Sequence, residues 1–181
     1  MTKTFFTSDL HFFHENVIRF CNRPYGSVDH MNRELVNNWN MVVGERDHVW
    51  VLGDVSFGSP AQTVEILNQL KGIKHLIVGN HDRKGKAKKL FSKHWNTYFV
   101  EKHDYFRLKI NGYKFVLCHF PFHSWERGYI NLHGHTHRPR DFKNKYRQWD
   151  VGVDGNNYTP ILLEDAVKRA EAGEVNGNII L

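Results

Sequence analysis

Five short clusters of Asp, Asn and His hold the chemistry open to this chain: Asp9-Leu10-His11, Gly53-Asp54, Gly79-Asn80-His81-Asp82, Leu117-Cys118-His119 and Gly134-His135-Thr136-His137. Carboxylates, an amide carbonyl and imidazoles are ligand types that Mn, Fe, Zn and Ni all accept. A single divalent ion would use about half of them. Two ions side by side would use nearly all, and such a pair activates water against phosphate esters.

Each cluster alone has an ordinary explanation. Asp9 and His11 are alternate residues that lean the same way if a strand continues through them, yet a lone Asp-x-His arises by chance. Asp54 follows an apolar run and a Gly that permits close backbone approach; it could bridge two ions or simply form a turn. Asn80 can offer a neutral carbonyl oxygen, with a Gly-Asn turn as the plain alternative. His81 beside it is a titratable group that need not bind metal. His135 and His137 are again alternate residues, otherwise a polar loop, and His119 could be a satisfied core histidine. The joint reading prevails because the clusters occur together, each just past a predicted strand.

The elements that must carry them alternate in the first half. Residues 3–7 form a short β-type run ending at Asp9. Ser27 or Asp29 caps a helix that carries Met31, Leu35 and Trp39 at spacings of four. Residues 48–52 are a compact apolar strand before Gly53-Asp54. Ser59-Pro60-Ala61-Gln62 has capping-box spacing with Pro at the first helical position, and this helix stops at Gly72. Residues 73–78 are a strand ending at Gly79-Asn80. Clusters past the carboxyl ends of strands sit where open α/β sheets place their sites.

The second half reads as more strands. Residues 98–100 and 105–110 look extended, and Asn111-Gly112 is a strong hairpin turn because both residues tolerate positive φ. Residues 113–118 return to deliver His119, and 129–132 deliver the Gly-His-Thr-His string. A strand over 149–153, a helix over 164–172 closed by Gly173, and a last strand at 179–181 complete the expectation. Residues 143–148 are expected to be a mobile loop.

At 181 residues the chain fits one domain, 1–181, with 40% hydrophobic and 24% charged residues. No apolar run approaches the roughly 20 residues needed to span a bilayer, and Asp9 interrupts the start before a signal-peptide core develops. The expected location is the cytoplasm. Cys21 and Cys118 make no disulfide framework and are expected to be reduced core residues. The net charge of +6 is uneven, because Arg83 to Lys89 and Arg138 to Arg147 both lead away from ligand clusters. There they would attract anionic substrate; the alternative is a solvated helix face and a loop.

In these motifs and their order, D-x-H, G-D, G-N-H-D, H and G-H-x-H over residues 9 to 137, the chain resembles the calcineurin-like metallophosphoesterase superfamily. The resemblance implies an α/β fold of two packed mixed β-sheets flanked by helices, a four-layer α/β/β/α sandwich. It implies two divalent metal ions of Mn2+, Fe2+/Fe3+, Zn2+ or Ni2+ type. Asp9, His11, Asp54 and His137 would hold the first, and Asp54 as bridge with Asn80, His119 and His135 the second. A hydroxide bridging the ions would attack phosphorus, and His81 would protonate the leaving group or stabilise phosphoryl charge. The string from Ser8 to Phe20, followed by Arg23-Pro24-Tyr25, is similar to a small bacterial and phage branch of phosphoesterases. His14, Asn16 and Arg23 are therefore candidates for contacting substrate or supporting the ligands.

Departures from other branches narrow the substrate. Protein Ser/Thr phosphatases extend the second motif to G-D-x-x-D-R-G, and this chain has Phe57 and Gly58 at those Asp and Arg positions. Protein phosphatase activity of that type is disfavoured, and Asp82 becomes a candidate to orient His81. The expectation is a metal-dependent phosphoesterase acting on phosphodiesters or nucleotide derivatives ahead of phosphoproteins. The alternatives are a non-catalytic metal-binding interaction module of the same fold and a nuclease acting on single-stranded nucleic acid. No membrane partner is expected, and the oligomeric state is open.

Overall fold

The structure is a computed structural model, and it describes residues 2–84, 86, 88–137 and 146–172. The first half comprises β1 (Thr4–Thr7), α1 (Glu15–Phe20), α2 (Val28–Val42), β2 (His48–Val51), α3 (Pro60–Gln69), β3 (Ile73–Ile77) and α4 (Lys88–Lys93). The second comprises β4 (Lys102–His103), β5 (Tyr105–Ile110), β6 (Tyr113–Cys118), β7 (Ile130–His133), β8 (Gln148–Asp150), β9 (Ile161–Leu162) and α5 (Leu163–Ala172).

These strands make two mixed sheets flanked by helices, ordered β4-β3-β2-β1-β9 and β5-β6-β7-β8. In the first, β1 to β4 run parallel and β9 antiparallel. In the second, β5 and β6 form the hairpin across Asn111-Gly112, and β6, β7 and β8 run parallel. Side-chain alternation along β1 and β2 builds two cores at once. Phe5, Val49 and Val51 meet Met31, Leu35 and Trp39 of α2 and Ile66 and Leu67 of α3 on one face. Phe6, Trp50 and Leu52 face the second sheet, where they meet Phe115, Leu117, Ile130 and Leu132. α5 joins that inner core and contacts β1, β8 and β9.

Local signals explain the helices. Ser27 caps α2 by accepting from His30 N at 3.2 Å. Ser59 and Gln62 close the expected capping box, a device worth about 1 kcal/mol. Residues 98–100 depart from expectation: Tyr98 N and Phe99 N both donate to Trp95 O, at 3.0 and 2.9 Å, and only Val100, whose N donates to Lys74 O at 2.9 Å, bonds to the neighbouring strand β3. The strand expected over 149–153 is β8, with Val153 instead opening a 3-10 turn. Gln148, expected in a mobile loop, is the first residue of β8 and pairs with Asn131. The expected strand at 179–181, Gly173 and residues 138–145 of the second basic stretch lie outside the described residues. No described helix is long and apolar enough to cross a membrane.

Candidate metal centre

All five clusters follow strand ends, and the structure gathers them along one edge of the two sheets. Asp9 follows β1, Asp54 follows β2, Asn80 follows β3, His119 follows β6, and His135 and His137 follow β7. The sheets meet here directly: His119 Nε2 lies 3.0 Å from Asn80 Oδ1, and His135 N donates to Asp9 Oδ2 at 2.9 Å.

The strand conformation does not persist through the ligand pairs, so the alternate-residue argument is not what aligns them. Asp9 (φ 55°), His11 (φ 52°), Asp54 (φ 56°), His135 (φ 70°) and His137 (φ 47°) all adopt left-handed backbone. Such conformations cost about 1 kcal/mol or more each and cluster where function demands them. Cross-loop hydrogen bonds enforce them. Asp9 N donates to Gly53 O and His11 N to Asp54 O, each at 3.0 Å. A Cβ on Gly79 would lie 2.2 Å from Asp54 Oδ1, so only glycine lets the third loop close over that carboxylate.

Asp82 has a different part from the one considered for it. Its Oδ2 accepts from Asp54 N at 2.9 Å and Gly79 N at 2.8 Å, and its Oδ1 from Val55 N at 2.9 Å. Both oxygens are committed to backbone amides, so the carboxylate staples the second and third loops rather than orienting His81. Burial lifts its pKa to about 6 despite those amides.

The donors form two overlapping groups: Asp9, His11 and His137, and Asp9, Asp54 and His119. His11 Nε2 and His137 Nε2 each lie 3.7 Å from Asp9 Oδ1. Asp54 Oδ2 lies 3.6 Å from His11 Nε2 and 3.4 Å from His119 Nε2. Donors bound roughly 2.1 Å from one ion stand about 3.0–3.5 Å apart, so these spacings are near those of a shared cation. Asp9 Oδ1 and both His11 ring nitrogens are buried without a hydrogen-bond partner, a costly arrangement unless a cation satisfies them. With carboxylate, amide and imidazole donors of borderline character, the residues fit divalent transition metals. His135 is exposed, its ring 5.2 Å from that of His119 in an edge-on arrangement, outside those two groups.

The charges are mutually dependent. Burial alone would raise Asp9 and Asp54, but His11, His119 and His137 around the first and His119 beside the second hold both below the usual carboxylate range. Burial opposes charge on His119 as well, yet Asp54 and Asp9 lift its pKa to about 9. Burial keeps His11 low. Two buried carboxylates thus gather positive charge about themselves.

Around this core, His81 N donates to Asp54 Oδ1 at 2.9 Å, and its side chain is 43% exposed. His14 stacks on Phe57 at 3.9 Å between centroids and lies 5.3 Å from His11. Burial, then His11, lowers the His14 pKa to about 4. Asn16 is exposed on the first turn of α1, and among the described residues no hydrogen bond ties it to the ligands. Arg23 is buried, its Nε and Nη2 paired with Asp154 at 2.7 and 2.9 Å. Asp154, which accepts from His137 Nδ1 at 2.7 Å, was not foreseen. It lies in a plain Gly-Val-Asp-Gly turn whose spacing from the other motifs carries no signal.

The chain is similar to known proteins over nearly its whole length. The model of the calcineurin-like phosphoesterase family matches residues 2–179. An uncharacterized protein of Methanocaldococcus jannaschii is 35% identical over 184 residues, covering 97% of this chain and 95% of its own. The Gene 66 protein of Mycobacterium phage D29 is 34% identical, covering 85% of this chain and 89% of its own. Among solved structures, a protein of unknown function from Aquifex aeolicus superposes with a TM-score of 0.74 at 25% identity, covering 93% of this chain and 99% of that one.

Proposed function

The chain belongs to the calcineurin-like phosphoesterase family, and from that premise we propose that it hydrolyses phosphodiesters or nucleotide derivatives with two divalent ions. The observation that carries the reading is the place of Asp54 Oδ2, within 3.6 Å of His11 Nε2 and 3.4 Å of His119 Nε2. One oxygen lies near donors of both sets, so this carboxylate could serve both ions. Asp9, His11, Asp54 and His137 would hold one ion, and Asp54, Asn80, His119 and His135 the other. Bound there, the ions would supply Lewis acidity to water and to phosphoryl oxygens.

The protein's own contribution is position and proton transfer. His81, tethered through its backbone to Asp54 yet part-exposed in its ring, hands a proton to the leaving oxygen or donates to a phosphoryl oxygen. Phe57 and Gly58 offer neither carboxylate nor guanidinium, which argues against phosphoprotein substrates. Phe120, 44% exposed against His135, gives an apolar face on which a base can lie. We read residues 1–181 as one domain, since the two sheets share a core, and the free thiols Cys21 and Cys118 suit a cytoplasmic setting.

Turnover of bis(p-nitrophenyl) phosphate by chelator-stripped protein, with and without added Mn2+, tests the reading. We expect Mn2+-dependent hydrolysis that His81→Ala slows sharply. A parent with no metal-dependent rate on any mono- or diester tried would favour a non-catalytic module.

A second reading, a nuclease on single strands, draws on Lys84, Lys86, Lys88, Lys89 and Lys93, all exposed just after the Asn80-His81-Asp82 cluster. Binding to a single-stranded oligonucleotide should then weaken steeply with salt. Absence of binding at low salt removes that reading.

A further inference from the structure

Arg23 joins three parts of the chain that are distant in sequence. Its side chain is wholly buried, and that of Asp154 is 5% exposed. The guanidinium grips Asp154 at both oxygens, through Nε at 2.7 Å and Nη2 at 2.9 Å. The same group donates from Nη2 to Asp9 O at 2.7 Å and from Nη1 to Leu10 O at 2.9 Å, the backbone of the first ligand loop. Asp154 then accepts from His137 Nδ1 at 2.7 Å, while His137 Nε2 lies 3.7 Å from Asp9 Oδ1.

We propose that Arg23 and Asp154 are positioning residues of the metal centre, fixing the ring of His137 and the Asp9-Leu10-His11 loop in one rigid assembly. The inference rests on the metal-centre reading above. A carboxylate paired in this bidentate way is ionised and can only accept, so Nδ1 of His137 carries the hydrogen. In the neutral ring Nε2 then keeps its lone pair on the side of Asp9, the orientation a ligand needs.

A competing view treats the same neighbourhood as a metal site of its own, because Cys21, His137 and Asp154 bring ligand atoms within 4.8 Å of one another. The guanidinium argues against it. Both carboxylate oxygens of Asp154 already face Arg23, and a cation placed there would meet a fixed positive charge. Arg23 is equally removed from substrate: with no exposed side-chain surface it cannot touch a bound phosphate.

The test is Mn2+ titration of the full chelator-stripped chain by calorimetry, comparing the parent with Asp154→Asn and Arg23→Lys, together with melting of the metal-free proteins. Asp154→Asn keeps the shape but loses the charge; Arg23→Lys keeps the charge but loses the fork. Each should weaken one ion by about 10- to 100-fold, the usual effect of losing a ligand's outer partner, with the other ion retained. A folded variant that binds both ions as the parent does would overturn the proposal and leave the metal centre standing. A parent that binds no Mn2+ would overturn both. Because a variant can fail to fold, the parent offers its own readout. In the Zn2+-loaded protein, imidazole nitrogen shifts should place the His137 hydrogen on Nδ1, and a hydrogen on Nε2 would sink the assignment.

Discussion

The His81 ring leans on Phe57, with centroids 4.8 Å apart and planes inclined at 45°. Phe57 in turn stacks against His14 and lies 5.2 Å from His11, so an aromatic ring borders the proposed acid. Phe57→Ala should therefore release His81 while leaving every proposed ligand residue in place. We expect turnover to fall by about tenfold, part of the 10²–10⁴ that a positioned proton donor contributes, with metal content unchanged. Metal analysis alongside steady-state kinetics checks this, and loss of metal would show that Phe57 supports the ligands instead.

Asp54 and His81 should separate cleanly. Asp54 faces both His11 and His119, so Asp54→Ala should abolish activity and lower metal content per chain. His81→Ala removes no member of either donor group and should keep the metal while slowing turnover by roughly a hundredfold or more. Equal metal loss in the two variants would contradict both roles.

Asp82 accepts from three buried backbone amides, those of Asp54, Val55 and Gly79. Asp82→Ala leaves them without a partner, at about 1–3 kcal/mol for each unsatisfied group. Loss of several kcal/mol in urea unfolding is expected, with weaker metal binding because both loops slacken. A variant of parental stability would mean that water replaces the carboxylate without penalty.

A second histidine cluster, away from the ligands, should set part of the pH dependence of stability. His75 is 7% exposed, stacks on Trp50 at 4.4 Å, and places Nδ1 2.6 Å from Glu101 Oε1 and Nε2 2.8 Å from His48 Nδ1. Burial lowers its pKa from 6.5, and Glu101 only partly offsets this. Unfolded chains therefore take up a proton that the folded one declines, so this contribution is full above pH 6.5 and lost as pH falls toward the folded value. Burial would raise Glu101, but His103 and His75 outweigh it and leave it low, which gives the same sign at more acid pH. Urea midpoints should fall between pH 7.5 and 5.5, a window of about one unit around the histidine value, and fall less steeply in His75→Gln. Identical slopes would remove His75 from the account.

Much of this fold is legible in the sequence. The helix carrying Met31, Leu35 and Trp39, the Ser59 capping box and the Asn111-Gly112 hairpin each depend on local periodicity or turn chemistry, and each is present. The convergence of the clusters followed from parallel strands whose ends share an edge. α4 escaped notice because a six-residue helix with only Leu90 and Phe91 buried has no period to detect. β9, two residues long, pairs with β1 only through tertiary contact. Asp154 was invisible for the same reason, since its meaning comes from Arg23 and His137, residues far away along the chain.

The left-handed backbone of Asp9, His11, Asp54, His135 and His137 sets the direction in which this molecule can be improved. Glycine or asparagine would sit more comfortably at such angles. A screen that rewards heat resistance alone would accordingly drift toward sturdier turns and erase the ligands, so engineering here must select for hydrolysis and robustness together.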